Sequence, residues 1–443
     1  MTDVIFSLDT EDFTSNRSAD AVYREAEVFR EEGIRAGFCI VGLLAEQLEN
    51  WGRRDVLDAL KHHDIGTHTY GHSLHPTINE YTDIESYTDA HAEFIRQETK
   101  AVNMIKHATG RYPIFSCPPG NQKTYVGMYG FSDLDIPIYA DTYCDTADGE
   151  GAFYCNIYQA QYTFSLESFF QNNSEEFMLE KLNELSEYKR VIIFTHPNAA
   201  VFNSTWDIEN YCKKNLCEFG QWKEPPRKSE EETERFYESI RNFVKLVKAD
   251  KRFNITSYSE LASTLSKEKK RIVRKIDIPY LDDALSKEFY AVRKPISLSL
   301  SDIFLACHTF LNGNDEHICG KVYGFLDTPY AISEPVTVTA TDVIATAKAM
   351  DVSAFLPEKI MVGDVFLGPA DYMRAALKVL QGEALVTVAP DTQLPSLEAL
   401  PKTNNCNFKT WIIQSDDFED NYLSKRLKLQ SWTLRFLDKE NLL

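Results

Sequence analysis

Short apolar runs alternate with longer amphipathic stretches through the first 265 residues. Residues 4–8 form the first apolar run, whose composition predicts a strand, and residues 19–32 repeat apolar positions at helical spacing before Gly33. The same reasoning predicts six more strands, at 38–41, 65–67, 114–115, 136–140, 191–195 and 253–256, with helices between them such as 83–108 and 230–248. Seven strands alternating with helices predict a parallel α/β fold, either a barrel or a doubly wound sheet.

A segment rich in basic residues, 266–275, interrupts this pattern and predicts an exposed hinge or helix end. We therefore expect an α/β domain over 1–265 and a mainly helical C-terminal domain of unknown role over 276–443. Within the latter, residues 295–307 and 335–347 resemble each other: each has Ser or Thr shortly before an aspartate, Asp302 or Asp342. That arrangement predicts a helix N-terminus in both segments. Residues 369–380 predict a further helix.

Composition and charge narrow the classes of partner. The chain has 443 residues, with 47 Lys and Arg against 67 Asp and Glu, a net charge of −20. Such a negative potential opposes binding to phosphate backbones and anionic lipid, so nucleic acid is not an expected partner. The longest near-continuous apolar stretch, 36–45, is far shorter than the roughly 20 residues of a membrane span. The first residues do not resemble a signal peptide, which favours the cytoplasm; the oligomeric state stays open.

Nine cysteines are scattered along the chain without a CxxC pair, which is typical of reduced thiols rather than of a disulfide framework or a cysteine zinc site. The histidines, by contrast, are clustered: five of the ten lie at positions 62, 63, 68, 72 and 75. His68 and His72 follow a predicted strand at spacing i and i+4, one helical turn apart. Two imidazoles so placed can bind one metal ion.

Three carboxylates, Asp9, Glu11 and Asp12, follow the first predicted strand, and His196 closes the strand at 191–195. In a barrel the carboxyl ends of parallel strands meet at one face, so these groups and the histidine pair are expected together. One carboxylate could complete a two-histidine, one-carboxylate metal site, and another would stay free as a base. The structural alternatives are an acidic helix-capping loop and a packed strand-end histidine.

Several ordered segments now resemble motifs of the polysaccharide deacetylase family, carbohydrate esterase family 4. They are residues 8–12 (LDTED), 36–42 (AGFCIVG), 65–72 (IGTHTYGH), 110–120 (GRYPIFSCPPG) and 191–197 (VIIFTHP). The resemblance covers most of residues 1–265. It implies a distorted (β/α)7-type barrel and the metal-assisted removal of an acetyl group from an N-acetylated sugar.

The resemblance also implies roles for individual residues. His68 and His72 would bind a divalent metal ion, together with Glu11 or, as a close alternative, Asp12; His75 is a more remote one. Zinc is the default for two histidines and a carboxylate, although Co, Ni, Mn or Fe would fit similar ligands. The ion would polarise the amide carbonyl and acidify a water molecule.

By the same resemblance, Asp9 would be the general base and His196 the acid that protonates the leaving amine. Many family members have an arginine before the proline of the third motif, whereas this chain has Ser116 and Cys117. Either another group holds the base, or the base is held less well. Arg111 is expected to point elsewhere, and Asp141 and Asp145 are candidates to support His196.

The resemblance thus implies a hydrolase of non-peptide carbon–nitrogen bonds that deacetylates an N-acetylated saccharide. A cyclic-amide or ureide hydrolase on the same barrel, acting on a small amide, is the first alternative. A weakly active carbohydrate-binding protein is the second, supported by the missing arginine. Aromatic side chains at Tyr70, Tyr125, Tyr139 and Trp206 are candidates for a rim that stacks against sugar rings.

Overall fold

The computed structural model describes residues 1–119, 123–140, 144–146, 148–210, 221–395, 402–403, 415 and 417–437. These residues form two compact units. The first comprises described residues within 1–151, 157–265 and 404–423, and the second those within 152–156, 266–403 and 424–443. The C-terminal half of the chain is therefore divided between the two units, which the sequence pattern does not indicate.

Strands and helices alternate through residues 1–266, except that five short strands follow one another between 138 and 165. The strands are β1 Thr2–Thr10, β2 Gly37–Ile40, β3 Asp64–Thr67, β4 Phe115–Ser116, β5 Ile138–Ala140, β6 Cys144–Asp145, β7 Ala152–Tyr154, β8 Ile157–Ala160, β9 Tyr162–Ser165, β10 Arg190–Thr195 and β11 Phe253–Ile255. The helices are α1 Asn16–Glu31, α2 Gly42–Asn50, α3 Arg54–Leu60, α4 Ile78–Thr82, α5 Tyr87–Thr109, α6 Tyr125–Asp133, α7 Glu175–Leu185, α8 Trp206–Asn210, α9 Glu230–Ala249 and α10 Tyr258–Ser266. All seven predicted strands are confirmed, as β1 to β5, β10 and β11.

Eight strands of the first unit form a parallel sheet in the order β8-β5-β4-β3-β2-β1-β10-β9. Its two end strands, β8 and β9, are consecutive in the chain and are separated only by Gln161. The sheet ends are thus joined covalently, and β8 and β9 act as one bent strand that closes a ring of seven. Strand β11 pairs with the first residues of β1, while β2 pairs with its last residues. The fold is a distorted (β/α)7-type barrel, as predicted.

Helix ends in the first unit follow the expected capping chemistry. Ser15 caps α1 by accepting a hydrogen bond from the Arg17 amide. Ser229 and Glu232 form a reciprocal capping box at the start of α9, whose buried face packs into the barrel core. No helix among the described residues is long and apolar enough to cross a membrane.

The second unit combines helices with short antiparallel strand pairs. Its elements beyond β7 are α11 Ile278–Lys287, α12 Leu300–Leu311, α13 Ala340–Ala349, α14 Pro369–Leu380, α15 Leu423–Leu429, β12 Ile272–Arg274, β13 Glu316–Ile318, β14 Val336–Thr339, β15 Ile360–Val362, β16 Val365–Leu367, β17 Leu385–Val388, β18 Lys402–Thr403 and β19 Arg435–Phe436. Strands β12 and β13, β14 and β17, and β15 and β16 pair antiparallel around one apolar core. The predicted helix N-termini are confirmed: Ser299 caps α12 and Thr339 caps α13.

The prediction of an exposed hinge over 266–275 is wrong at Arg271 and Val273, which are both buried. Arg271 is buried and donates to Asp302 Oδ2 at 2.7 Å, and that aspartate is fully buried at the start of α12. Because a buried charge must be paired, this contact fixes the segment to the second core.

Candidate active site

Strand β3 delivers the two histidines to the carboxyl end of the barrel, but the segment after it is not a helical turn. Thr69 and His72 have φ values of 66° and 55°, in the left-handed region that a β-branched residue rarely occupies. The Gly42 amide donates to the Thr69 carbonyl at 3.0 Å, and the Leu43 amide donates to the Tyr70 carbonyl at 3.1 Å. The N-terminus of α2 therefore holds this loop, and the loop, rather than a helix, brings the two imidazoles together.

The two imidazoles converge on Glu11, which follows β1. The Oε2 atom of Glu11 lies 2.9 Å from His72 Nε2 and 3.7 Å from His68 Nε2, and all three side chains are 2% exposed. One potential ligand atom from each residue lies within 4.8 Å of the other two, so a single ion can be bound by all three. Two nitrogens and one carboxylate oxygen are a donor set typical of zinc and similar divalent ions. The residues present therefore fit a divalent metal ion.

Further contacts orient these three side chains. His68 Nδ1 bonds to the Cys117 carbonyl oxygen, and His72 Nδ1 lies 3.1 Å from Ser73 Oγ. These contacts leave both Nε2 atoms facing Glu11, as is usual for histidine ligands held by a second partner. The Asn198 side-chain amide donates to Glu11 Oε1 at 3.1 Å. Burial would raise the pKa of Glu11, but the neighbouring His72 and His68 outweigh it and hold that pKa well below its usual value.

Asp12, the alternative ligand, lies in a different environment. Its Oδ1 accepts hydrogen bonds from the Thr14 amide and hydroxyl, at 2.8 and 2.6 Å, and its Oδ2 accepts one from Ser18. Burial raises the pKa of Asp12 to about 6 against these donors. The structure therefore brings Glu11, and not Asp12, to the histidine pair. His75 is also elsewhere, with Nδ1 2.8 Å from Glu80.

Asp9, near the end of β1, lies beside this cluster. Its Oδ1 accepts a 2.6 Å hydrogen bond from the Tyr162 hydroxyl, and its Oδ2 lies 3.6 Å from His196 Nε2. The Cys117 thiol approaches the same Oδ2 at 3.8 Å. Burial raises the pKa of Asp9 above its usual value, against the opposing effect of His68 and His196. A raised pKa brings a carboxylate closer to the range that suits a general base.

His196, at the end of β10, is held by a carboxylate that the sequence analysis missed. Glu167 Oε1 lies 2.6 Å from His196 Nδ1 and also accepts the His196 amide at 3.0 Å. Burial alone would lower the pKa of His196, but Glu167 outweighs burial and raises it well above the usual range. A protonated His196 can then donate from Nε2. Glu167 occupies the role expected for Asp141, which lies outside the described residues, or for Asp145, whose side chain does too.

Ser116 and Cys117 occupy the position of the missing arginine, and neither side chain supplies a positive charge. Ser116 donates to the Ile138 carbonyl, and Arg111 points away from Asp9, as expected, to the His63 carbonyl. Cys117 and Cys39 form a second potential ligand group with His68, but burial raises the pKa of both thiols and His68 Nδ1 already bonds to a carbonyl. The His68 Nε2 atom, by contrast, faces Glu11 and belongs to the first group.

Three of the four aromatic rim candidates are buried, so the prediction is wrong for them. Tyr125, Tyr139 and Trp206 are all 0% exposed, whereas Tyr70 is partly exposed. Trp206 packs against His72, with the ring centroids 5.3 Å apart. This ring shields one side of the metal-ligand cluster instead of offering a surface to a sugar.

No protein-family model matches the sequence, and no curated protein matches it. Matches are found among solved structures. Polysaccharide deacetylases are among them. A protein assigned as a polysaccharide deacetylase from Mycobacterium smegmatis is 12% identical over 59% of this chain and 89% of its own, with a TM-score of 0.39.

An allantoinase matches with 13% identity over 59% of this chain and 89% of its own, at a TM-score of 0.38. A carbohydrate esterase family 4 pseudoenzyme from Bacillus anthracis is 12% identical over 59% of this chain and 66% of its own, at a TM-score of 0.34. These matches agree with the family resemblance of the motifs. With TM-scores below 0.4, they add nothing about the chemistry of the site.

Proposed function

We propose that the barrel is a metal-dependent hydrolase that removes the acetyl group from an N-acetylated saccharide and releases acetate and an amine. The observation that supports this most is the convergence of one potential metal-ligand cluster with two further titratable groups. Glu11, His68 and His72 form the cluster. Asp9 and His196 are next to each other beside it. We further propose zinc as the ion, because two imidazoles and one carboxylate suit it best.

The protein side chains would divide the proton transfers between them. A divalent ion, when bound, supplies Lewis-acid polarisation of the amide carbonyl. Asp9, whose pKa is raised by burial, accepts the proton of the attacking water. His196, kept protonated by Glu167, donates a proton to the leaving nitrogen. An amide needs this second transfer because an unprotonated amine is a poor leaving group.

Metal analysis combined with acetate release from N-acetylglucosamine oligomers tests the proposal. We expect about one zinc ion per chain and measurable acetate for the wild type. His196→Gln should keep the metal while kcat falls by about 10²- to 10⁴-fold, the usual contribution of a general acid. His75→Gln is the matched control, since His75 belongs to the same histidine-rich segment but bonds to Glu80. Absence of metal after zinc loading would refute the proposal.

A ureide or cyclic-amide hydrolase is a second candidate, favoured by the seclusion of the centre. Asp9, Glu11, His68 and His72 are each at most 5% exposed, and the His196 side chain is 24% exposed. A small ring can reach so buried a centre more easily than a sugar within a chain. An assay of hydantoin ring opening, monitored as a loss of ultraviolet absorbance, distinguishes this hydrolase from the deacetylase. Metal binding without turnover of either substrate would leave the carbohydrate-binding alternative.

A further inference from the structure

A line of hydroxyl groups runs through the barrel interior and ends at Asp9. Tyr258 donates to Ser7 Oγ at 3.1 Å, Ser7 Oγ lies 3.0 Å from the Tyr162 hydroxyl oxygen, and Tyr162 donates to Asp9 Oδ1 at 2.6 Å. Each hydroxyl has one proton. Because the Tyr162 proton is directed to Asp9, the Ser7 proton must be directed to Tyr162. All three donors therefore point in one direction, towards the carboxylate.

The fold places each member of this line. Ser7 and Asp9 lie two residues apart on β1, so both side chains project from the same face of the strand. Tyr258, the first residue of α10, is fully buried and stacks on Phe115 with centroids 3.8 Å apart and ring planes at 9°. Tyr162, the first residue of β9, stacks on Phe194 with centroids 4.6 Å apart. Both phenol rings are therefore fixed by packing before their hydroxyls are considered.

Among the described residues, Asp9 forms no ion pair with a lysine or arginine, and its one ion-pair partner within 4 Å is His196. Cys117 gives only a weak thiol contact to Oδ2. The Tyr162 hydroxyl is thus the strongest neutral donor to this carboxylate. Its bond is charge-assisted, and hydrogen bonds in a line polarise and strengthen one another.

We propose that Tyr162 is a positioning residue for Asp9, and that Ser7 and Tyr258 strengthen its hold on the carboxylate. The role rests on the proposed function, in which Asp9 is the base. By fixing Oδ1, Tyr162 directs Oδ2 towards His196 and the space where the reaction would take place. In this arrangement three neutral hydroxyl groups, rather than a cation, hold the Asp9 carboxylate in place.

The kinetic test compares Tyr162→Phe with Tyr158→Phe in the zinc-loaded full chain. Tyr158 lies on β8, in the same bent strand; it is fully buried, and its hydroxyl bonds to the Glu150 carbonyl and Arg190 rather than to the site. With N-acetylglucosamine oligomers, we expect Tyr162→Phe to lower kcat by about 10- to 100-fold, since a misplaced base costs this much. KM and zinc content should stay within twofold, and Tyr158→Phe should match the wild type. A kcat for Tyr162→Phe within twofold of the wild type would overturn the proposal.

Ser7→Ala provides a second variant should Tyr162→Phe not fold. It removes the donor to Tyr162 while leaving the Tyr162–Asp9 bond possible, so we expect a fall in kcat of about two- to fivefold, with zinc retained. A kcat equal to that of the wild type would overturn the role of the line.

A crystal structure of zinc-loaded Tyr162→Phe, compared with the wild type, separates this proposal from the proposed function. We expect the Asp9 carboxylate to rotate, so that the distance from Oδ2 to His196 Nε2 changes by about 1 Å or more. An unchanged carboxylate would overturn the positioning role. Should the wild type hydrolyse no amide, the proposed function fails, whereas a rotated carboxylate would still support Tyr162 as the residue that holds Asp9.

Discussion

Two glycines inside the barrel provide the space for the stacked rings of Tyr258 and Phe115. A Cβ atom at Gly37 would lie 2.4 Å from Tyr258 Cδ2 and 2.6 Å from Cε2, and one at Gly66 would lie 2.5 Å from Phe115 Cζ. Neither glycine has a positive φ, so the requirement is for space and not for an unusual backbone. Gly37→Ala therefore tests the packing of Tyr258 without straining the chain.

The size of the effect follows from these distances. Carbon atoms pack best at about 3.5 to 4.0 Å, so the Tyr258 ring must move by about 1 Å to admit the new methyl group. Overpacking of a buried site costs about 1 to 3 kcal/mol. The movement also lengthens the 3.1 Å bond to Ser7, which is worth about 0.5 to 1.5 kcal/mol. Together these two contributions predict that Gly37→Ala lowers the free energy of unfolding by about 1.5 to 4.5 kcal/mol.

Urea unfolding of the full chain, followed by tryptophan fluorescence, measures this loss. Gly320→Ala is the control, because no atom lies within 4 Å of the Cβ that it would add and its φ is not positive. Gly320→Ala should change the free energy of unfolding by no more than about 0.5 kcal/mol. If Gly37→Ala is no less stable than Gly320→Ala, the Tyr258 ring is not locked and the reasoning fails.

The other predictions concern metal, pH and the second unit. Glu11→Gln should lose most of the zinc measured by mass spectrometry after dialysis, whereas Asp12→Asn should keep it; equal metal in both would refute the choice of Glu11. Burial raises the pKa of Glu98 from 4.5 to about 7. The protonated Glu98 side chain therefore contributes its full share of the folding stability below about pH 4.5, and this share is lost as the pH rises through about 7. Glu98→Gln should remove about 3 kcal/mol of that pH dependence in urea titrations between pH 4.5 and 8, and an unchanged dependence would contradict it. Arg271→Ala should lower the free energy of unfolding by about 3 to 5 kcal/mol, because it leaves a buried carboxylate unpaired. The control Arg274→Ala, at an exposed arginine, should lower it by less than about 1 kcal/mol. Similar losses for the two variants would exclude a special role for the buried pair.

The sequence predicts the parts of the site that follow directly from strand ends. Asp9 and Glu11 come at or just after an apolar strand, and His68 comes just after another. Because neighbouring parallel strands present their carboxyl ends at one face, these residues meet without further information. His196 belongs to the same class, since it closes β10, which pairs with β1 along its whole length.

Glu167 and Tyr162 could not be predicted in the same way. Both come from residues 157–170, whose path depends on the bend at Gln161 that joins the two sheet ends. A signal was present, because residues 157–165 are rich in aromatic and β-branched side chains typical of strands. A local pattern does not, however, state which two strands such a segment will join.

The spacing of His68 and His72 illustrates the opposite case, a correct pair from an incorrect local structure. The i and i+4 spacing suggested a helical turn, but Thr69 has a left-handed backbone. Hydrogen bonds from the amides of Gly42 and Leu43 hold that conformation. Contacts distant in sequence thus overrode the local preference while still bringing the imidazoles together.

The pairing of β1 has a consequence for synthesis on the ribosome. Asp3 pairs with Arg190, and Thr2 pairs with Phe253, so β1 is synthesised well before its partners near residues 190 and 253. At about 5 to 20 residues per second, roughly 10 to 40 s pass before β10 is translated. During that interval one side of β1 lacks its partner, and an unpaired strand edge favours aggregation. Any chaperone requirement of this protein should therefore be greatest for nascent chains that end before residue 190.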